Sequence, residues 1–427
     1  MAPSATRQES PTVQVTVIAV AAVALFAWGL LSNRLERADV TAPIAFIAVG
    51  VTLAGLGLVH GPSAPEAVTP LVELTLVWVL FSDAARLPVQ ELRRGLGGYV
   101  RLLAVGLPLT ILFGWGLAAW MFPGLGAWLA LFVGAALAPT DAALGVPVVT
   151  NPIIPSRIRQ LITVESGLND GIATPVVMLA IAGAAAAAGL EPAESAGHAA
   201  VEMLIGAAVG VGLGGLGGLA LREARRRGTA AEGFAGIAVL ALALGAYALA
   251  LALHGNGFVA AFCGGLAFGA RAGRRAPAEL EFLEQMGTLL ASLVWMAFGA
   301  VAVPIMLDRI DAKDIVYAVL SLTVVRMLPV AVATVGAGLG RITILFVGWF
   351  GPRGLASLVF ALLALDALGT HADEAVTVLA ATVLLSVVAH GLTAAPLARR
   401  YGRFAAAAGP EPGGPVTVTR LRRRLGR

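Results

Sequence analysis

Charge is scarce in this chain: only 13% of its 427 residues are Asp, Glu, Lys or Arg, while 58% are hydrophobic. A water-soluble protein of that size needs far more polar surface, so lipid is expected to be part of its solvent. Cysteine is nearly absent. The single Cys263 rules out an internal disulfide framework and any multi-cysteine metal centre, and reads as a small apolar packing residue. Long polar stretches are missing as well: between residues 15 and 398 the gaps separating apolar runs are short, which leaves no room for a second, soluble domain. The period-two alternation of a membrane barrel is absent, and a bilayer offers the backbone no hydrogen-bond partner, so the runs must be helices. Nothing resembles a nucleotide loop, a dinucleotide fingerprint or a metal-hydrolase motif. A secondary transporter is therefore expected rather than an enzyme, with no cofactor and no nucleic-acid partner.

The apolar runs number thirteen, near 15–32, 41–59, 69–87, 97–122, 125–149, 159–188, 197–221, 232–253, 255–271, 283–307, 314–339, 340–366 and 375–398. The first has no cleavage signature behind it and reads as a retained helix. Basic residues test this count, because Lys and Arg in short loops gather on the cytoplasmic side. With the N-terminus outside, 24 of the 29 basic residues fall inside, and Arg7, Arg309 and Lys313 fall outside. The remaining two, Arg326 and Arg353, lie within spans. The expected class is an all-α polytopic membrane protein of the inner, cytoplasmic membrane. Residues 1–404 form one membrane transporter domain, and 405–427 a basic, disordered cytoplasmic tail.

Two runs carry helix-breaking sequence in their middles. The fifth has Ala138-Pro139-Thr140-Asp141, and the twelfth has Gly351-Pro352-Arg353-Gly354. Each is fifth in a block of six, so helices one to six and eight to thirteen read as two repeats inverted by the odd linker helix. In secondary transporters, paired interrupted helices of this kind mark an ion site near the midplane. The glycine-rich stretch from Gly210 to Gly218 reads instead as close helix packing.

The sixth run places Glu165, Ser166, Asn169 and Asp170 within an arc of about 140° on one helix face. A carboxylate deep in a bilayer costs about 2.5 to 3.5 kcal/mol, so it must face protein, water or an ion. Oxygen ligands of this kind suit a hard cation. Arg353 at the second break is expected to pair with Glu165, leaving Asp170 to hold a proton or a metal ion in turn. Thr140 at the first break is a candidate cation ligand, together with the unwound carbonyls around it. Asp141 is either a ligand or a cap on the half-helix that follows it. Arg326 is read as a structural partner or a lipid-phosphate contact, and His390 and His254 as pH sensors or, more commonly, satisfied packing histidines.

Ala138-Pro139-Thr140-Asp141, Glu165-Ser166-Gly167-Leu168-Asn169-Asp170-Gly171, Gly348-Trp349-Phe350-Gly351-Pro352-Arg353-Gly354 and Val388-Ala389-His390-Gly391-Leu392-Thr393 together resemble the NhaP-type sodium/proton antiporters of the monovalent cation:proton antiporter family. The likeness covers nearly the whole chain, with the motifs in the same order. It implies exchange of a monovalent cation, Na+ first, for H+, a role in pH homeostasis, and a homodimer whose core domain moves against a dimerisation domain. It also implies a Na+ site at Asp170, Ser166 and Thr140, and electroneutral exchange marked by Asn169 beside Asp170. The third span departs from the family pattern. Relatives carry Phe-Glu-Gly where this chain has Phe81-Ser82-Asp83-Ala84, so Ser82 takes the ligand position and Asp83 sits one residue on. Ala142 stands where many relatives have Pro. A K+/H+ antiporter and a cation channel without proton coupling are the alternatives.

Overall fold

The computed structural model describes residues 11–36, 40–59, 64–87, 97–190, 196–273 and 276–407. The tail expected to be disordered lies outside these residues from 408 onward. Helices account for nearly all of the described chain, and no strand occurs among the described residues. They are α1 (Pro11–Glu36), α2 (Ala42–Gly55), α3 (Ala64–Ala85), α4 (Gly97–Met121), α5 (Gly126–Ala136), α6 (Val146–Val149), α7 (Ser156–Ala187) and α8 (Ala196–Arg226). Then follow α9 (Glu232–Ala252), α10 (Gly257–Arg271), α11 (Ala276–Arg309), α12 (Ala312–Leu322), α13 (Val324–Ala333), α14 (Arg341–Trp349), α15 (Leu355–Leu368) and α16 (Asp373–Ala407). Among the described residues, nine helical stretches are long and apolar enough to cross a membrane, and three shorter apolar helices accompany them.

Three of the apolar runs are split. The fifth ends as α5 at Ala136 and resumes in a short turn and α6, with 137–141 outside any helix between them. The twelfth is divided into α14 and α15 by 350–354. The third split corrects the sequence reading of 314–339 as one continuous helix: Thr323 leaves helical geometry (φ −107°, ψ −86°) and separates α12 from α13. Its hydroxyl donates back to the Val319 carbonyl at 2.6 Å, which competes with the backbone ladder, and Pro329 in the next turn cannot donate to it. The bend turns Arg326 inward, where it is 2% exposed.

Glycines decide how closely the helices approach. A Cβ at Gly206, Gly210, Gly214 or Gly218 on α8 would run into the backbone of Asn256, Ala260, Gly264 or Phe268 along α10. On the other side of α10, Gly265 and Gly269 abut the Phe81 and Ala85 carbonyls of α3. The α10 helix is thus clamped between α8 and α3 by backbone contact, the small-residue packing expected of membrane helices. Asp311 caps α12 in a reciprocal box with Asp314, and Arg309 on α11 pairs with Asp373 on α16 at 2.8 Å.

Gly214→Ala should lower stability by about 1–3 kcal/mol, because the new methyl has only backbone to displace. Gly215→Ala, one residue on, should leave stability unchanged, since a Cβ there meets nothing within 4 Å. Thermal unfolding of the two purified variants measures the contrast.

Candidate functional site

The long helix α7 buries one continuous stripe, and its polar residues lie in that stripe with the apolar ones. Glu165, Ser166, Asn169 and Asp170 are between 1% and 9% exposed. Opposite them passes the non-helical segment that follows α5. Thr140 sits there, and its Oγ1 lies 2.9 Å from the Ser166 Oγ and accepts from the Asn169 Nδ2 at 2.7 Å. The structure thus brings Thr140, Ser166 and Asn169 together. Asp170 Oδ1 and Asn169 Oδ1 are buried and have no hydrogen-bond partner among the described residues. A buried carboxylate oxygen left in this way is costly unless a proton or a cation joins it.

Glu165 is not paired with Arg353, as the sequence reading expected. Its two oxygens accept from Arg326 Nη1 and Nη2 at 2.5 and 2.9 Å, a bidentate pair with both side chains about 2–3% exposed. Arg326 can reach Glu165 because the bend at Thr323 points it toward α7. It also passes close to Gly351, where any Cβ would strike its guanidinium.

Arg353 has other work. Its Nη1 donates to the carbonyls of Ala138 at 2.9 Å and Pro139 at 3.3 Å, and its Nη2 reaches the Ser321 carbonyl at 3.5 Å. These first two carbonyls belong to the unwound end of α5, where the helix ladder leaves acceptors orphaned and the dipole is negative. Both carbonyls thus already accept from a fixed cationic side chain. Ser357 Oγ donates to a third, Ala136 O, at 2.7 Å.

Asp141 answers from the other side. Its backbone N–H donates to the Pro352 carbonyl at 2.8 Å, and its Oδ2 accepts from the Leu355 N–H at 3.1 Å. The carboxylate caps α15, the half-helix of the second break. Gly354 makes this approach possible, because a Cβ there would overlap the Asp141 carboxyl.

The second break is held further by α16. Arg353 N–H donates to Ser386 Oγ at 2.7 Å, and His390 Nε2 donates to the Trp349 carbonyl at 2.9 Å. Trp349 stacks on His390, with ring centroids 5.1 Å apart, and donates to Thr393 Oγ1 at 3.0 Å. His390 is therefore a packing histidine that satisfies the end of α14. Sequence reading missed Ser386 altogether. Its one signal was the spacing of Ser386, His390 and Thr393 at i, i+4 and i+7, which aligns three polar groups on one helix face.

On α3, Ser82 is buried, and Asp83 is half-buried against Gly167 of α7. Asp83 lies close enough to Asp141 and Asp170 for their charges to interact, and Arg86 and Glu284 stand on its other side. Arg86 donates to Glu284 at 2.5 Å and to the Leu280 carbonyl at 3.1 Å. Three carboxylates thus share one region, with the Glu165–Arg326 pair and Arg353 beside it.

A family profile described as sodium/hydrogen exchanger, transmembrane, matches residues 20–400. A K(+)/H(+) antiporter of Shewanella oneidensis is 27% identical over 336 residues, 78% of this chain and 58% of that protein. A Na(+)/H(+) antiporter of Aphanothece halophytica is 23% identical over 398 residues, 87% of this chain and 71% of that protein. The chain spans about half the length of the curated K(+)/H(+) relatives it matches, between 47% and 58% of them. Among solved structures, that of the sodium proton antiporter MjNhaP1 from Methanocaldococcus jannaschii matches with a TM-score of 0.73 at 19% identity, covering 91% of this chain and 99% of that one. The two share a fold.

Arg326→Ala should destabilise the protein by about 3–5 kcal/mol, because it strands the Glu165 carboxylate in the interior. The double replacement Glu165→Leu with Arg326→Met should recover most of that loss, and unfolding midpoints of the single and double variants measure the recovery. His390→Ala should cost about 1 kcal/mol for the lost bond to the Trp349 carbonyl, which keeps the Gly351 N–H as a donor at 2.8 Å. In His390→Gln, an amide that can still donate should retain part of that stability.

Proposed function

The chain belongs to the sodium/hydrogen exchanger transmembrane family, and from that premise we propose that it is a secondary antiporter exchanging a monovalent cation for H+. The carrying observation is the buried Asp170 Oδ1, without a hydrogen-bond partner among the described residues, beside an equally unoccupied Asn169 Oδ1. Asp170 supplies the charge, and Asn169, Ser166 and Thr140 supply neutral oxygens, a donor set that suits a hard cation. A proton on Asp170 removes the charge that attracts the cation, and a bound cation removes the proton. That competition is the exchange.

The fixed charges around the site support a single exchangeable charge. Glu165 is neutralised by Arg326, Arg353 is committed to the α5 carbonyls, and Asp141 caps α15. With only Asp170 changing its occupant, one proton leaves for each cation bound, and the exchange is electroneutral. Na+ is the proposed ion. K+ is the second reading, favoured by the names of the Shewanella relatives. Asp83 is proposed to raise the local concentration of cations beside Asp170 by its charge, in place of a ligand at Ser82.

The proposed architecture has thirteen crossings with the N-terminus outside and the C-terminus in the cytoplasm, as the distribution of Arg supports. The two breaks, packed on each other with ionisable residues at both, support two inverted repeats of six helices. The homodimer and the cytoplasmic-membrane location rest on the family likeness.

In vesicles with a preset pH gradient, wild-type protein should collapse the gradient on addition of Na+, and Asp170→Asn should abolish the response. Parallel additions of Li+ and K+ identify the preferred ion. A variant as active as wild type would remove Asp170 from the mechanism, and cation flux without proton movement would make the protein a channel. Asp83→Asn should raise the half-saturating cation concentration roughly five-fold, equivalent to about 1 kcal/mol, with the maximal rate retained.

A further inference from the structure

A groove of about 570 Å³ lies between α8 and α10, away from the Asp170 cluster. Its walls are apolar, with Val211 and Leu216 on one side and Leu266 on the other, and Arg271 closes one end. Two glycines on α8 account for the space. Gly210 and Gly214 are filled by the backbone of α10, but a Cβ at Gly212 or Gly215 would meet nothing within 4 Å. The glycine pattern of α8 therefore does two jobs: one set draws α10 in, and the other leaves a furrow alongside the contact.

The arginines at the end of the groove are unequally committed. Arg226 and Arg227 share Glu223 at 3.3 and 2.9 Å, and Arg225 donates to the Ala272 carbonyl at 3.0 Å. Arg222 and Arg271 are exposed and form no ion pair among the described residues. Both stand at the same helix ends: the Arg271 Cβ lies 3.2 Å from where a Gly218 Cβ would be, and the Arg222 Cδ lies 3.8 Å from where a Gly273 Cβ would be. Two free guanidinium groups thus stand at the mouth of an apolar channel, on the side to which the charge bias assigns the cytoplasm.

We propose that this groove binds one anionic phospholipid, with an acyl chain along Val211, Leu216 and Leu266 and its phosphate between Arg222 and Arg271. Basic pockets between membrane helices on the cytoplasmic side take such headgroups, and arginine forks match phosphate oxygens in pairs. A zwitterionic lipid fits less well, because its own ammonium cancels the charge the two arginines would neutralise. A second copy of this chain also fits less well, since a two-fold contact here would set arginine against arginine.

The test uses the full-length chain purified in neutral detergent, titrated with dioleoyl phosphatidylglycerol or dioleoyl phosphatidylcholine and read by native mass spectrometry and by unfolding temperature. Wild type should retain one phosphatidylglycerol per chain with a preference of about ten-fold over phosphatidylcholine, equivalent to about 1.4 kcal/mol shared by the two arginines. The double variant Arg222→Ala with Arg271→Ala should lose the preference. Gly215→Leu should lose retention of both lipids with the arginines intact, and Gly212→Leu serves in its place should the first variant fail to fold. Equal retention of the two lipids by wild type, or undiminished retention in the filled-groove variants, would overturn the assignment. So would stabilisation by glycerol 3-phosphate alone, which would make it a free-anion site. A change from dimer to monomer in Gly215→Leu with lipid retention unaltered would instead make the groove a protein interface and overturn it equally.

Discussion

Two helices stop in the interior of this protein, and neither lipid nor bulk water can satisfy the backbone groups they leave open. Each break is completed by a charged side chain from the other: Arg353 donates into the carbonyl end of α5, and Asp141 accepts from the N–H end of α15. The signs follow the helix dipoles, with a cation at a C-terminus and an anion at an N-terminus. The backbone bond from Asp141 to Pro352 then fixes the two segments in register. Without this exchange of caps, several buried polar groups would be stranded together, each at a cost of about 1–3 kcal/mol. Everything at the site is placed by that crossing. Thr140 is held one residue before Asp141, and Gly351 one residue before Pro352 leaves the passage through which Arg326 reaches Glu165.

Charge is arranged so that almost every ionised group near the crossing already has a fixed counterpart. The Glu165–Arg326 pair brings little net stability over an apolar pair of the same volume, since desolvation offsets most of its attraction. Its consequence is electrostatic. It leaves a carboxylate one turn further along α7, at position 170, in a region whose other anions, Asp83 and Asp141, are of the same sign. A single positive charge placed on Asp170, whether proton or metal ion, would remove one of the three, which is what the proposed exchange requires. The hydroxyls of Thr140 and Ser166 and the amide of Asn169 are linked to one another, so the neutral oxygens are held in place before any ion arrives.

Sequence pattern revealed much of this, and its failures have physical causes. Glu165, Ser166, Asn169 and Asp170 lie on one face because a helix repeats every 3.6 residues, and no tertiary information is needed to see it. The breaks at Pro139 and Pro352 were equally visible, being composed of residues that cannot continue a helix. Pairing across the interior was not. Arg353 and Arg326 are both cations inside apolar runs, and choosing between them required knowing that Thr323 bends its helix. The signal was faint: a threonine able to bond back to residue 319, six positions before a proline. The reach of Asp141 across the interior was hidden for a similar reason, because a cap is usually sought in the same chain segment, while the N–H its carboxylate meets here belongs to a helix that begins more than two hundred residues later. The four-residue spacing of glycines on α8 disclosed close packing, yet it could not say that Gly214 faces a backbone and Gly215 faces open space.

The helices around α3 show how position 83 can matter without a bond to the cluster. Glycines on both faces of α10 pin α3, α10 and α8 by direct backbone contact, so Asp83 stands on a wall with little freedom to shift. The α7 helix meets that wall through a side chain at Gly171, which the Phe262 ring fills, and at ordinary van der Waals distance at Gly167, where a Cβ would sit 3.8 Å from the Asp83 Cβ. The Asp83 carboxylate, half-buried at the seam, is within charge range of the Arg86–Glu284 pair on one hand and of Asp141 and Asp170 on the other. Its charge acts over several ångströms and needs no ligand geometry, so the role proposed for Asp83 tolerates a position one residue out of register with the family pattern.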